Sequence, residues 1–178
     1  MSYSAAGYLE QRPDQKADSG RIRPFGDLLG DVAGKRVLEY GCGGGELAVR
    51  LAKGGARVST FDISRSRVEE TRRLAEASGV RIEAVEAAAE RLPYADETFE
   101  LVVGRSVLHL LDVERAPGEL RRIMRPGGKA VFSEPLRHVD LGAWRRGFGR
   151  FGLRELGLAA KVPVLRGYSR QALVWMVR

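Results

Sequence analysis

The strongest constraint on this chain is the order of its apolar runs. Strand-like and helix-like segments alternate from about residue 36 to residue 135, and the first strand is followed by a glycine cluster. Arg36-Val37-Leu38-Glu39-Tyr40 is a short apolar run that stops at Gly41-Cys42-Gly43-Gly44-Gly45. Glu46 to Lys53 has helical spacing and ends at Gly54-Gly55, a C-cap signal. Arg57 to Ile63 is β-branched and aromatic, which predicts a second strand. Val68, Thr71 and Leu74 line one face of the next helix, with Ser66 and Glu69 as its capping box and Gly79 as its end. Arg81 to Glu86 alternates as a third strand. Phe99 to Val103 and Lys129 to Ser133 predict the fourth and fifth strands. Between them lies a helix with Pro117 in its first turn and Leu120, Ile123 and Met124 on one side. Arg125-Pro126-Gly127-Gly128 predicts a sharp break after it.

Alternation at this spacing builds right-handed βαβ units. The expected fold class is α/β, a doubly wound and mostly parallel seven-stranded sheet with helices on both faces. Such sheets bind ligands outside the C-terminal strand ends, where the strand order switches.

After Pro135 the rhythm changes. A short helix is expected around Arg150 to Leu156, ending at Gly157. Two last strands are expected near Ala160 to Leu165 and Ala172 to Val177. Residues Arg166 to Arg170 join them, so they read as an antiparallel hairpin at the sheet edge. At the other end, Ile22, Phe25, Leu28 and Leu29 suggest a helix or two ending at Gly34. The chain thus reads as one domain over residues 1–178: a helical leader 1–34, a ligand-binding core 35–135 and a short Arg-rich part 136–178. The composition, 44% apolar and 30% charged, suits one sizeable core.

No apolar run approaches the length of a membrane span, and residues 1–20 lack the apolar stretch of a secretory signal. Cys42 has no partner for an intramolecular disulfide. These features favour the cytoplasm and no membrane partner. The net charge of +7 lies wholly in the last quarter, where nine basic residues face Asp140 and Glu155. Such a segment can attract an anionic substrate or partner; the alternative is a general preference for Arg, which outnumbers Lys 25 to 5.

Glycines between a strand and a helix let the backbone approach a ligand closely. Asp62 closes the second strand, 21 residues after Gly41, where a carboxylate accepts hydrogen bonds from ribose hydroxyls. A dinucleotide loop prefers G-x-G-x-x-G, and here the sixth position is Glu46. An acid beside a pyrophosphate repels it. A cationic sulfonium nucleoside has no phosphate and tolerates acids, and Glu39 can face its positive end.

At this point the residues resemble a known family. VLEYGCGGGELAVRLA (Val37 to Ala52) is similar to the cofactor loop of class I, Rossmann-like S-adenosylmethionine (SAM)-dependent methyltransferases. FDIS (Phe61 to Ser64), AERLPYADETFELV (Ala89 to Val102) and ELRRIMRPGGKAVFSEP (Glu119 to Pro135) extend the similarity over about 100 residues. The group it looks most like is the small-molecule branch, which includes quinone-biosynthetic and natural-product enzymes.

The resemblance implies SAM as cofactor. It implies that Glu39 and the backbone of Gly41, Cys42, Gly43 and Gly45 hold the methionine part. Asp62 takes the ribose hydroxyls, and Ile63 packs on the adenine. Ala89 and Glu90 sit at the adenine edge, and the backbone of Arg105 and Ser106 meets the methionyl ammonium. Leu92-Pro93-Tyr94 and Arg125-Pro126-Gly127-Gly128 are structural turns.

Three departures stand out. Ala88 occupies a position where the family often has an acid; Phe99-Glu100 replaces Phe-Asp; and the substrate-cap insertions are nearly absent from Leu136 to Gly149.

Methyl transfer from a sulfonium needs alignment above all, and a base only where the nucleophile carries a proton at neutral pH. The chain has two histidines, His109 and His138, both past strands at the ligand-binding edge. His109 is a base or substrate contact or else a loop tie, and His138 is a weaker candidate of the same kind. Glu134, at the end of the fifth strand, is a second candidate acid. Cys42 is a small filler, and no spaced Cys/His cluster indicates a metal. Tyr3, Tyr8 and Phe25 either close over the cofactor or belong to a loosely packed leader.

The leading expectation is methyl transfer to a small-molecule acceptor. A second is an RNA- or carrier-protein-directed enzyme, with Arg145, Arg146, Arg150 and Arg154 on phosphates or acids and Trp144, Phe148 and Phe151 for stacking. A third is a SAM-binding partner subunit without activity alone. A homodimer is one way to complete a short cap.

Overall fold

The computed structural model describes residues 25–135, 138–162 and 171–178. The elements in chain order are α1 (Phe25–Leu29), β1 (Arg36–Tyr40), α2 (Glu46–Lys53), β2 (Arg57–Asp62), α3 (Arg65–Ala77), β3 (Ile82–Glu86) and β4 (Phe99–Arg105). A 3-10 turn over Leu108–Leu110 precedes α4 (Ala116–Ile123), β5 (Met124–Pro135), α5 (Leu141–Arg150), β6 (Arg154–Val162) and β7 (Gln171–Val177).

The sheet is seven-stranded in the order β3-β2-β1-β4-β5-β7-β6. The first five strands are mutually parallel; β7 runs antiparallel to both β5 and β6. This is the expected doubly wound sheet with its C-terminal hairpin. β1 is buried on both faces, as a central parallel strand must be.

Two cores form. On one face α1 and α2 bring Leu28, Leu29, Leu47 and Leu51 against Val37, Val58, Leu101 and Val131. On the other, α4 and α5 bring Leu120, Ile123, Trp144 and Phe148 against Leu38, Tyr40, Val102, Ala130 and Phe132. Burial of such side chains supplies on the order of 1.5–3 kcal/mol each. Phe25 packs at the margin of the first core, and Tyr3 and Tyr8 lie outside the described residues.

Four local expectations change. First, α3 starts at Arg65 with Ser64 as N-cap, so Ser66 sits inside the first turn and makes no capping box. Glu69 instead pairs with Arg65 at 3.0 Å, and Ser66 shares a hydroxyl bond with Ser64 at 2.9 Å.

Second, β5 begins at Met124, which pairs with Phe99, so Met124 is not helical. Third, the RPGG turn is a slip in the β4–β5 register rather than a chain break. Gly127 adopts φ 74° there, and its amide bonds the carbonyl of Arg178 at 3.1 Å.

Fourth, the helix expected at Arg150 to Leu156 is not there. The helix is α5, capped by the Asp140 carboxylate on the Ala143 amide at 3.0 Å and followed by Gly152 at φ 70°. Gly142, Gly147 and Gly149 dilute its sequence signal, because glycine is a poor helix former. The strand β6 therefore begins earlier than expected, at Arg154.

Candidate functional site

The strand order reverses direction between β1 and β4, so the loops after these strands diverge and leave a crevice. Tyr40 pairs with Gly104, which sets Gly41 beside the exit of β4. Gly104 and Arg105 pair in turn with Phe132 and Ser133. The ends of β1, β2, β4 and β5 thus converge at one edge.

The glycine loop is pinned at both ends. The Cys42 amide bonds the Phe61 carbonyl at 2.8 Å, and the Gly45 amide bonds the Cys42 carbonyl at 2.8 Å. A Cβ on Gly45 would lie 3.0 Å from the backbone of Thr71 in α3, so only glycine fits that approach. A Cβ on Gly43 would meet nothing within 4 Å, so the loop is open at that point.

Asp62 accepts from the Gly43 amide at 3.2 Å and from the Ser64 amide at 3.0 Å. Its carboxylate therefore lies between the glycine loop and the turn carrying Ile63. Ile63 is 77% exposed and Leu110 is 74% exposed, both past strands at this edge. Large exposed apolar side chains at a ligand edge offer apolar faces to whatever binds there. Leu110 carried no sequence signal that set it apart from core leucines.

Glu39 is buried and accepts from the Thr60 hydroxyl at 3.2 Å. Burial pushes its carboxyl up to about 8, opposed by the Thr60 bond and by the positive charge of Arg105. Thr60, directly across from Glu39 in the β1–β2 register, is a site residue that the sequence alone did not single out.

Cys42 is buried, and burial pushes its thiol up to about 11. Ala89 is also buried, and its carbonyl accepts from the Tyr40 hydroxyl at 2.9 Å. Glu90 accepts from the Asp112 amide at 3.3 Å and so ties its loop to the post-β4 segment. Ala88 contributes only a backbone bridge to Arg91.

Arg105 ends β4 and is exposed. Ser106 adopts φ 53°, an uncommon conformation for a non-glycine residue, and its amide bonds the Ser133 carbonyl at 2.8 Å. This kink turns the chain so that Val107 lies against the glycine loop, near Gly41.

Glu134 is 0% exposed yet fully engaged. One oxygen accepts from the Val107 amide at 2.7 Å and the Leu108 amide at 2.9 Å. The other meets His109 Nδ1 at 3.0 Å. The His138 ring lies 5.6 Å from that of His109, tilted by 35°. The three residues singled out as candidate acids and bases therefore form one cluster, with His109 in the middle.

The Arg-rich segment looks different from its sequence. Trp144 and Phe148 are core residues at 4% and 2% exposure and cannot stack on a base from solution. Arg150 pairs with Glu114 at 2.6 Å and lies over the Phe151 ring. Two of the three aromatics in the nucleic-acid reading are thereby removed, while Phe151 is half-buried beneath Arg150. Among the described residues no helix is long and apolar enough to cross a membrane, and no group of three His, Cys, Asp or Glu side chains gathers to hold a metal.

The residues present suit SAM rather than a dinucleotide. The loop is open at Gly43, an acceptor carboxylate stands at Asp62, and the Glu46 carboxylate lies 3.0 Å from the space a Gly44 side chain would fill. A phosphate has no welcome next to that acid.

Comparison with known proteins agrees. The sequence profile of the methyltransferase domain family matches residues 38–132. A demethylmenaquinone methyltransferase of Thermus thermophilus is 37% identical over 111 residues, which is 61% of this chain and 50% of that protein. A ubiquinone biosynthesis O-methyltransferase of Rhizobium leguminosarum is 40% identical over 98 residues, 54% of this chain and 39% of that protein. The chain thus spans half or less of these relatives. A solved SAM-dependent methyltransferase of Mesorhizobium loti superposes with a TM-score of 0.75 at 18% identity, over 86% of this chain and 95% of that one. The chain belongs to the methyltransferase domain family, in the class I SAM-dependent group whose cofactor is S-adenosylmethionine.

Proposed function

We propose that this chain transfers a methyl group from SAM to a small-molecule acceptor held at the C-terminal edge of β1, β4 and β5. The observation that carries the reading is the placement of Asp62. Its carboxylate, at the end of β2, bridges the Ile63 turn and the glycine loop that borders the β1–β4 switch in strand order, where a nucleoside fits.

Glu39 and the Gly41, Cys42, Gly43 and Gly45 backbone would hold the methionine part, with Arg105 and Ser106 across the crevice. Asp62 would take the ribose, Ile63 would cover one adenine face, and Ala89 and Glu90 would border its edge. When bound, SAM supplies a methyl group activated by a positive sulfur, and the electron pair of the broken bond stays on that sulfur. The protein's task is alignment, which is worth on the order of 7–11 kcal/mol of the barrier when complete.

His109 and Leu110 adjoin the cofactor residues on the post-β4 loop. They give the acceptor one polar and one apolar contact. The relatives' names, a demethylmenaquinone methyltransferase and an O-methyltransferase of ubiquinone biosynthesis, support a small-molecule acceptor.

A carrier-protein acceptor is the second reading, favoured by the exposure of Arg145, Arg146 and Arg154. High salt weakens such a complex and leaves uptake of a neutral metabolite nearly unchanged. For a partner subunit, turnover depends on adding the second protein.

The test is calorimetric titration with S-adenosylhomocysteine, with NAD as control and Asp62→Ala in parallel. Micromolar binding is expected for the wild type and none for NAD. The variant is expected to lose about 10–100-fold, the worth of hydrogen bonds to a charged group. Tight NAD binding, or no loss in the variant, refutes the assignment.

A further inference from the structure

We propose that Glu134 is a positioning residue that fixes the tautomer of His109, leaving Nε2 as a bare base for an acceptor hydroxyl. The inference rests on the methyl-transfer reading above but can be tested without it.

The argument is one of donors and acceptors. Glu134 is fully buried at the end of β5, and nothing in its surroundings is wasted. Its Oε1 takes two backbone amides, from Val107 and Leu108. Both are obligatory donors, so this oxygen must accept. A carboxylate in its ionised form is an acceptor at both oxygens. Oε2 therefore also accepts, and its partner is His109 Nδ1 at 3.0 Å. Nδ1 must carry a hydrogen. In a neutral imidazole the other nitrogen, Nε2, is then the one with the free lone pair.

The same carboxylate fixes the ring in space. It anchors the two residues immediately before His109, in a loop whose entry is the kink at Ser106. One buried group thus holds the His109 ring and the two backbone amides that precede it. A histidine that only tied the loop in place would not need its Nδ1 reserved by the group already holding that loop.

The consequence is a substrate class. Methyl transfer needs no base when the nucleophile is already anionic or carries no proton. A base with a reserved tautomer is useful where the nucleophile is a hydroxyl, phenolic or enolic. As the acceptor oxygen takes the methyl group, its proton passes to Nε2, and the resulting imidazolium is balanced by Glu134 through Nδ1–H. The products are the methyl ether, the neutral thioether and one protonated His109.

Tautomers are read directly from long-range ¹H–¹⁵N NMR spectra of the imidazoles. The chain has two histidines, so His138→Asn leaves the signal of His109 alone. In the wild type and in this variant, His109 is expected as the Nδ1–H tautomer in its neutral form.

Glu134→Gln gives the sharper test. If the amide oxygen keeps the two backbone donors, the amide nitrogen faces Nδ1 and donates to it. The tautomer then inverts to Nε2–H. Titration with S-adenosylhomocysteine shows whether Glu134→Gln still folds and binds. A dominant Nε2–H form in the wild type overturns the proposal outright, whatever the variant does. So does an unchanged tautomer in a Glu134→Gln protein that still binds. Failure to bind S-adenosylhomocysteine in the wild type would instead strike the cofactor reading and leave the tautomer result standing.

Discussion

Val107 packs against the bare face of Gly41: a Cβ there would fall 3.0 Å from Val107 Cγ2. Gly41 also has φ 82°, which L-residues rarely adopt. The contact joins the cofactor loop to the loop that carries His109, because the Val107 amide is bound by Glu134.

Gly41→Ala should therefore fail twice, through backbone strain and through displacement of Val107. The strain alone is worth about 1–3 kcal/mol. Calorimetric melting should show a midpoint lower by about 2–4 °C for each kcal/mol lost in a domain of this size. Gly41→Ala combined with Val107→Ala should be less damaged than the two single losses added, since the smaller side chain relieves one clash. Strict additivity would mean that the two loops are not coupled here.

Glu39 gives a pH prediction of definite sign. Its carboxyl lies at about 8 in the folded protein against an ordinary 4.5, with burial as the main cause. Between these values the folded chain keeps a proton that the unfolded chain has released. Stability from this group is therefore whole below about pH 4.5 and declines until about pH 8. Glu39→Gln cannot ionise, yet its amide oxygen still accepts from Thr60. The variant should melt near the wild type at pH 5 and above it at pH 8.5. Parallel melting curves with no change in the difference across that window would show that Glu39 does not carry the proton.

Much of this site was legible in the sequence, for a physical reason. Glycines at a strand–helix junction and an acid at the next strand end are local signals, and the backbone realises them locally in Gly41 to Gly45 and Asp62. The pairing of His109 with Glu134 is not local. The two are 25 residues apart and meet only because β5 lies beside β4. The sequence showed both as candidates but not that one holds the other. Trp144 and Phe148 misled in the opposite way. Beside arginines they suggested a stacking surface, but at helical spacing they are the inward face of α5. The glycines of that helix hid its existence, and with it the burial of its aromatics.

Cys42 should be inert while the fold is intact. Its side chain is buried, and its thiol is pushed up to about 11 by that burial, with the Asp62 and Glu39 carboxylates acting in the same direction. The thiolate is the reactive form, so little of it exists at pH 8. Ellman's reagent at that pH should leave the native protein unmodified for hours. One thiol should react promptly in 6 M guanidinium, a concentration on the order of that which unfolds even very stable domains. Rapid reaction of the native protein would mean that the glycine loop opens readily.

Arg122 makes the last case, away from the chemistry. Its guanidinium donates to Glu119 at 2.7 and 2.9 Å, to Asp96 at 2.8 Å, and to the carbonyls of Tyr94 at 2.7 Å and Leu92 at 3.1 Å. Glu119 also takes the Leu92 amide at 2.6 Å. The segment between β3 and β4, which has no helix of its own, is thus fastened to α4 by one arginine. A lysine is a single point donor and cannot reproduce a planar fork with five hydrogen bonds to four residues. Arg122→Ala also strands the Glu119 carboxylate without its counter-charge. The loss should be about 2–3 kcal/mol, within the range for hydrogen bonds to charged groups. That corresponds to a midpoint lower by roughly 4–12 °C. Arg122→Lys should recover only part of it. Because the same segment continues from Ala89 and Glu90, S-adenosylhomocysteine should bind Arg122→Ala more weakly, and the deficit should be smaller than in Asp62→Ala. Wild-type melting in Arg122→Lys would show that charge alone, without the fork, is what the loop requires.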